Sequence, residues 1–133
     1  MPDVPLDSTR AAIADIQAVI QLYLDGLHEG DAEKLARAFH PCAALHAADG
    51  AGGVAVEGRD AWLARVRGRP SPASQGLARH DRLLAVDLAG EDAACVKLNC
   101  AIPPRFFTDF LLLIRTAEGW RIVQKAYHTR IEG

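Results

Sequence analysis

The chain has no block of lysine or arginine: its 15 basic residues are scattered among 17 acidic ones, for a net charge of −2. Neutralising a run of phosphates needs a basic face, so nucleic acid is not an expected partner. An anionic membrane surface is disfavoured for the same reason. Cysteine is scarce and odd in number. Cys42, Cys95 and Cys100 cannot all pair with one another, which suits a reducing compartment. Cys95 and Cys100 stand five apart on one expected strand, and that odd spacing points them to opposite faces. No apolar run approaches the roughly 20 residues that span a membrane. The acidic, prolyl start MPDVPLDSTR lacks the basic and apolar regions of a signal peptide, so a cytoplasmic protein is expected. No two histidines stand at i, i+4, and there is no H-E-x-x-H or Cys/His ligand set, so no metal is expected. The glycine-rich stretch Asp49 to Gly53 does not follow the phosphate-loop pattern and reads as a hairpin turn. No G-x-S-x-G or S-x-x-K points to a nucleophilic serine. No cofactor is expected.

What is present is enough for one core. Half of the 133 residues are apolar, and a chain of this length buries roughly two-thirds of its unfolded surface. We expect one domain over 1–133, with its core at about 8–129. Ile13, Ile16, Ile20, Tyr23, Leu24 and Leu27 recur at three- and four-residue steps. They predict a helix from about Ser8, with Asp7 or Ser8 as N-cap, to Glu29, with Gly30 as the C-terminal punctuation. Asp31 caps a second helix, Ala32 to Phe39, which Pro41 stops. Residues 43–57 read as a small hairpin and 59–67 as a third helix, followed by the loop GRPSPASQG. Four β runs follow, near 83–88, 93–102, 106–115 and 120–128. Helices first and then a meander of strands predict an α+β fold. The segment FFTDFLLLIR has no polar face. Antiparallel sheets usually keep one wet face, so its outer side needs a cover that the chain itself cannot supply. That predicts a homodimer through the outer, convex sheet face.

Asp109 stands in that otherwise apolar strand. A desolvated carboxyl can serve as a general acid or base near neutral pH; alternatively it pairs with Lys125 or Arg121. His46 and His128 titrate near neutrality and are the candidate partners of Asp109 in proton transfer, ahead of His80. Tyr23, on the helical stripe, is either plain core or a hydroxyl reaching the cavity. Trp62 and Phe107 are candidate aromatic walls of a ligand site. Arg67, Arg69 and Arg79 flank the proline loop and read as a solvated rim, with contact to an anionic ligand as the alternative.

Three stretches carry a family likeness: YLDGLHEGDAEKLARAFHP (Tyr23 to Pro41), DAWLARV (Asp60 to Val66) and FTDFLLLIRTAEGWRIVQKAYH (Phe107 to His128). They resemble the putative lumazine-binding, SnoaL-like branch of the nuclear transport factor 2-like superfamily, from about residue 9 to 129. The resemblance implies a curved antiparallel sheet wrapped around helices as a cone, with a conical pocket for a small, largely apolar or aromatic molecule. It implies either cofactor-free acid/base chemistry of the isomerase, cyclase or dehydratase type, or a non-catalytic binding or scaffold role, because fold alone does not fix function. Acid/base carboxylates of the superfamily sit inside the cone, which favours Asp109. The chain departs from the branch at His40-Pro41-Cys42-Ala43, where His-Pro-Asp-Ala is expected; a carboxylate used there by relatives is missing.

Overall fold

The structure, a computed structural model, describes residues 6–132. The start of the MPDVPLDSTR segment, residues 1–5, on which much of the reading against a signal peptide rests, lies outside the described residues. Helix α1 spans Leu6–Glu29 and helix α2 Ala32–Ala38; strands β1, Phe39–Ala48, and β2, Val54–Gly58, form the hairpin; helix α3 is Arg59–Arg67. Strands β3 (Arg82–Ala89), β4 (Ala93–Ile102), β5 (Arg105–Thr116) and β6 (Gly119–Ile131) complete the chain after a short 3₁₀ turn at Ala73–Gln75. The six strands form one open sheet in the order β2-β1-β6-β5-β4-β3. All pairings are antiparallel except β1 with β6, which is parallel, so the sheet is mixed. The architecture is the α+β cone.

The helical stripe is buried as its spacing requires: Ile16, Ile20, Tyr23, Leu24 and Leu27 pack against the sheet's inner residues Val96, Leu98, Leu111, Leu113 and Ile122. Two local expectations shift. The first helix starts at Leu6, so Asp7 and Ser8 lie in its first turn rather than at the cap, where the Asp7 carboxylate still meets the positive end of the helix dipole. The second helix ends at Ala38, because Phe39 is already extended, and Pro41 lies inside β1. Proline has no N–H to give a ladder, and it falls within the register shift between Phe39 and Ala44 on the β6 side. Asp31 caps α2 as expected, accepting from the Glu33 and Lys34 N–H groups at 3.0 and 3.2 Å. Gly30 has φ +68°, the left-handed geometry that favours glycine at a helix end.

One glycine has no sequence signal. Gly26 is buried in α1, and a Cβ there would stand 2.7 Å from the Leu35 side chain of α2. The bare backbone lets the two helices approach.

Candidate functional site

The phase of three elements determines what meets at the centre of the cone. On β5, Asp109 shares the inward phase with Leu111 and Leu113, and all three are at most 1% exposed. On β6, Lys125 pairs opposite Leu111 and Tyr127 opposite Asp109, so both also point inward. Helix α1 brings Tyr23, fully buried, down onto them.

The three polar groups form one chain of hydrogen bonds. Lys125 Nζ donates to the Tyr23 hydroxyl at 2.7 Å, and that hydroxyl donates to Asp109 Oδ2 at 2.5 Å. Lys125 Nζ is itself 3.7 Å from the same carboxylate oxygen. The Cys100 thiol approaches it as well, at 3.6 Å. Asp109 Oδ1 has no hydrogen-bond partner among the described residues. Burial, then the Asp109 charge, push the Tyr23 hydroxyl well above the ordinary tyrosine pKa, so it stays protonated and able to donate. Burial pushes the Cys100 thiol up as well, which leaves it an unreactive thiol. The Lys125 ammonium lies 4.8–5.3 Å from the ring centres of Tyr23, Trp62 and Tyr127, where ring quadrupoles attract a cation. A buried charge is tolerated when it is paired and hydrogen-bonded; Asp109 supplies the pair and the Tyr23 hydroxyl the hydrogen bond.

Much of the cone is filled. Tyr23, Phe39 and Trp62 interlock with ring centres 4.9–6.4 Å apart. Beside them is a cleft of about 90 Å³ lined by Trp62, Phe107 and Tyr127, by Lys125, and by Arg65, Arg69 and Arg105. Phe107 and Tyr127 meet edge to face at 5.9 Å. Asp109 and Tyr23 do not line this cleft.

The structure therefore joins Asp109 to Tyr23, and Trp62 to Phe107, but it does not join the histidines to either. His46 pairs opposite Ala126 on β6 and opposite Val56 on β2, in the outward phase. Its Nδ1 lies 3.3 Å from the Lys125 carbonyl oxygen. His128 pairs opposite Thr108, also outward. Both stand across the sheet from Asp109, because an even offset from an inward residue keeps the face and an odd one reverses it. His46 borders an outer groove with Phe110 and Leu112, and His128 borders a larger depression with His80 and Phe106. That depression, about 480 Å³, and another of about 410 Å³ between α2 and the β5–β6 turn exceed the cone cleft in size. Neither contains the buried triad.

Of the flanking arginines, Arg67 pairs with Glu33, and Arg79 with Asp25 and Asp81, rather than standing as free members of a solvated rim. Arg69 is different and lines the cleft. Lys125 could be read beforehand only as a possible partner of Asp109. Its role as the wall's cation depends on a parity that becomes fixed once the β5–β6 register is known. Among the described residues no group of three or more His, Cys, Asp or Glu could hold a metal ion, and no helix is long and apolar enough to cross a membrane.

A family model described as "Putative lumazine-binding" matches residues 11–128. No curated protein matches the chain. Among solved structures, an NTF-2 like protein of unknown function from Silicibacter pomeroyi is 26% identical with a TM-score of 0.80, over 92% of this chain and 98% of that one. A ketosteroid isomerase-like protein from Erwinia carotovora atroseptica is 17% identical with a TM-score of 0.68, over 90% and 96%. A protein described as a putative scytalone dehydratase from Novosphingobium aromaticivorans is 18% identical with a TM-score of 0.70, over 96% and 89%. At these last two identities the likeness is one of fold.

Proposed function

The chain belongs to the "Putative lumazine-binding" family, within the nuclear transport factor 2-like superfamily, and from that premise we propose that it is a non-catalytic binding protein for a small, largely aromatic molecule held in the cleft lined by Trp62, Phe107 and Tyr127. The observation that carries this reading is the sealing of Asp109. A general base must come within hydrogen-bond reach of the proton it takes. Asp109 is fully buried, its Oδ2 is occupied by Tyr23, and it does not border the cleft. The isomerase- and dehydratase-like neighbours share the fold at 17–18% identity, and fold alone transfers no chemistry. The cleft is also far smaller than the roughly 300–1,000 Å³ of drug-sized sites, so it takes a single ring rather than a polycyclic substrate.

The test is a screen of one-ring aromatic compounds by nuclear magnetic resonance. Binders should move the Trp62 indole, Tyr127 and Phe107 signals together and be returned unchanged after long incubation. Turnover of a binder that is lost in Asp109→Asn while the variant is still folded at the assay temperature would restore the acid/base reading.

A second reading concerns assembly, and one observation favours it. Phe110, Leu112 and Ile114 are 49%, 43% and 41% exposed in a row along the outer face of β5. An apolar row of this kind marks a contact surface. We propose that a second copy covers it, with more than about 1,000 Å² buried in total. A monomeric mass by light scattering at micromolar concentration would refute this.

A further inference from the structure

Three basic side chains besides Lys125 surround the cleft, and their partners differ. Arg65 is spoken for: it donates to both oxygens of Glu57, at 3.1 and 2.6 Å. The Lys125 charge is matched by Asp109 beneath it. Arg69 and Arg105 have no ion-pair partner and no side-chain hydrogen bond among the described residues, yet both line the same small cleft. The Arg69 pKa is pushed down, first by burial and then by the charges of Arg65 and Arg105. Two unpaired guanidiniums beside one small cleft repel each other, and both the desolvation of Arg69 and the repulsion are relieved by an anion between them. Guanidinium geometry favours planar, bidentate anions above all. The walls behind them are rings: Trp62, Phe107 and Tyr127.

Resting on the binding reading above, we propose that the ligand is a small aromatic carboxylate, its ring against Trp62, Phe107 and Tyr127 and its carboxylate held by Arg69 and Arg105. Lys125 is the one member of the Lys125–Tyr23–Asp109 chain that lines the cleft, and with its charge matched by Asp109 it adds no net charge there. A cationic ligand is disfavoured by the same surplus, and a neutral one leaves both arginines uncompensated.

Benzoate is the probe, benzyl alcohol its neutral counterpart and inorganic phosphate the ring-less anion. Titrated into the full chain, benzoate should move the Trp62 and Tyr127 signals saturably and bind more weakly as salt rises. Benzyl alcohol should bind at least tenfold more weakly. Arg69→Gln and Arg105→Gln should each weaken benzoate about tenfold, the scale of one charge-assisted contact, with unchanged melting temperature. Arg69→Lys should recover part of the loss. If benzyl alcohol binds as tightly as benzoate, or the glutamine variants bind benzoate like the parent, the carboxylate inference is overturned while the binding reading stands. If phosphate displaces benzoate at equal affinity, the site is one for oxyanions and the aromatic part is overturned. If neither benzoate nor benzyl alcohol reaches Trp62, both the carboxylate inference and the one-ring reading fail.

Discussion

Strand β5 has two faces whose burial runs against their hydrophobicity. Inward, Asp109, Leu111 and Leu113 are at most 1% exposed; outward, Phe110, Leu112 and Ile114 are 41–49% exposed. The inner face contains the only charge of that alternating set and buries it completely. The outward stretch from Phe110 to Ile114 is apolar and remains partly exposed within the monomer. Hydrophobicity alone therefore does not decide burial here. The helices decide it, by covering one phase of the strand, and a carboxylate on the covered side is kept by supplying Tyr23 and Lys125 rather than by exposing it.

The comparison breaks most visibly at the buried pair. Asp109→Asn leaves the Lys125 ammonium without its counter-charge inside the aromatic box. Removing one partner of a buried pair costs about 3–5 kcal/mol, and the melting temperature should fall by roughly ten degrees or more. The double variant Asp109→Asn with Lys125→Met should recover much of that loss, because an unpaired charge costs more than an absent pair. If the single variant melts like the parent, the pair contributes nothing to stability and Asp109 returns as a candidate acid or base.

Next in size is the helix contact above the same floor. Gly26→Ala forces a Cβ to within 2.7 Å of Leu35 and 3.3 Å of the Asp31 carbonyl oxygen. Overpacking of this kind costs about 1–3 kcal/mol, although alanine is the better helix former by about 1 kcal/mol. A lower melting temperature is expected, and a higher one would mean that α2 moves aside freely.

The outer face should respond in the opposite sense. Leu112→Asp places a charge on an exposed position, so the monomer's stability should change by less than about 0.5 kcal/mol. The mass by light scattering should halve. An unchanged mass would place the subunit contact elsewhere.

How far these two faces could be read beforehand follows from the kind of signal each needs. The helix stripe, the β4 alternation and the third helix, 59–67, are periodic, and period is local. Parity within a strand was legible too: the odd spacing of Cys95 and Cys100 places one half-buried on the outside and one buried inside. Between strands, parity depends on register, which no single stretch reveals. His46 and His128 looked like partners of Asp109 only while the register of β1 and β6 was unknown, and one residue of offset carries each through to the far side. Arg105 gave no signal, because it reaches the cleft only through the turn that starts β5, while Arg69 was visible as part of a basic rim but not as its one unpaired member among the arginines flanking the proline loop.

The smallest effect uses that cysteine pair to report on both faces at once. Cys95 pairs opposite Leu112 in the outward phase, and Cys100 points inward toward Asp109. Cys42 is exposed and serves as the internal reference for reactivity. Thiols react as thiolates and only when reached. Alkylation should therefore be fast at Cys42 and absent at Cys100 until the chain unfolds globally, since its thiol is both buried and raised in pKa. Cys95 is the informative site. If a second copy covers the outer face, Cys95 is protected in the parent and becomes reactive in Leu112→Asp, while Cys100 stays silent in both. Peptide mass analysis after timed alkylation reads all three positions in one sample. Equal Cys95 rates in the two proteins would argue against the convex face as the contact. Early labelling of Cys100 would show that the cone opens locally, and that the sealed floor beneath the cleft is less closed than its burial indicates.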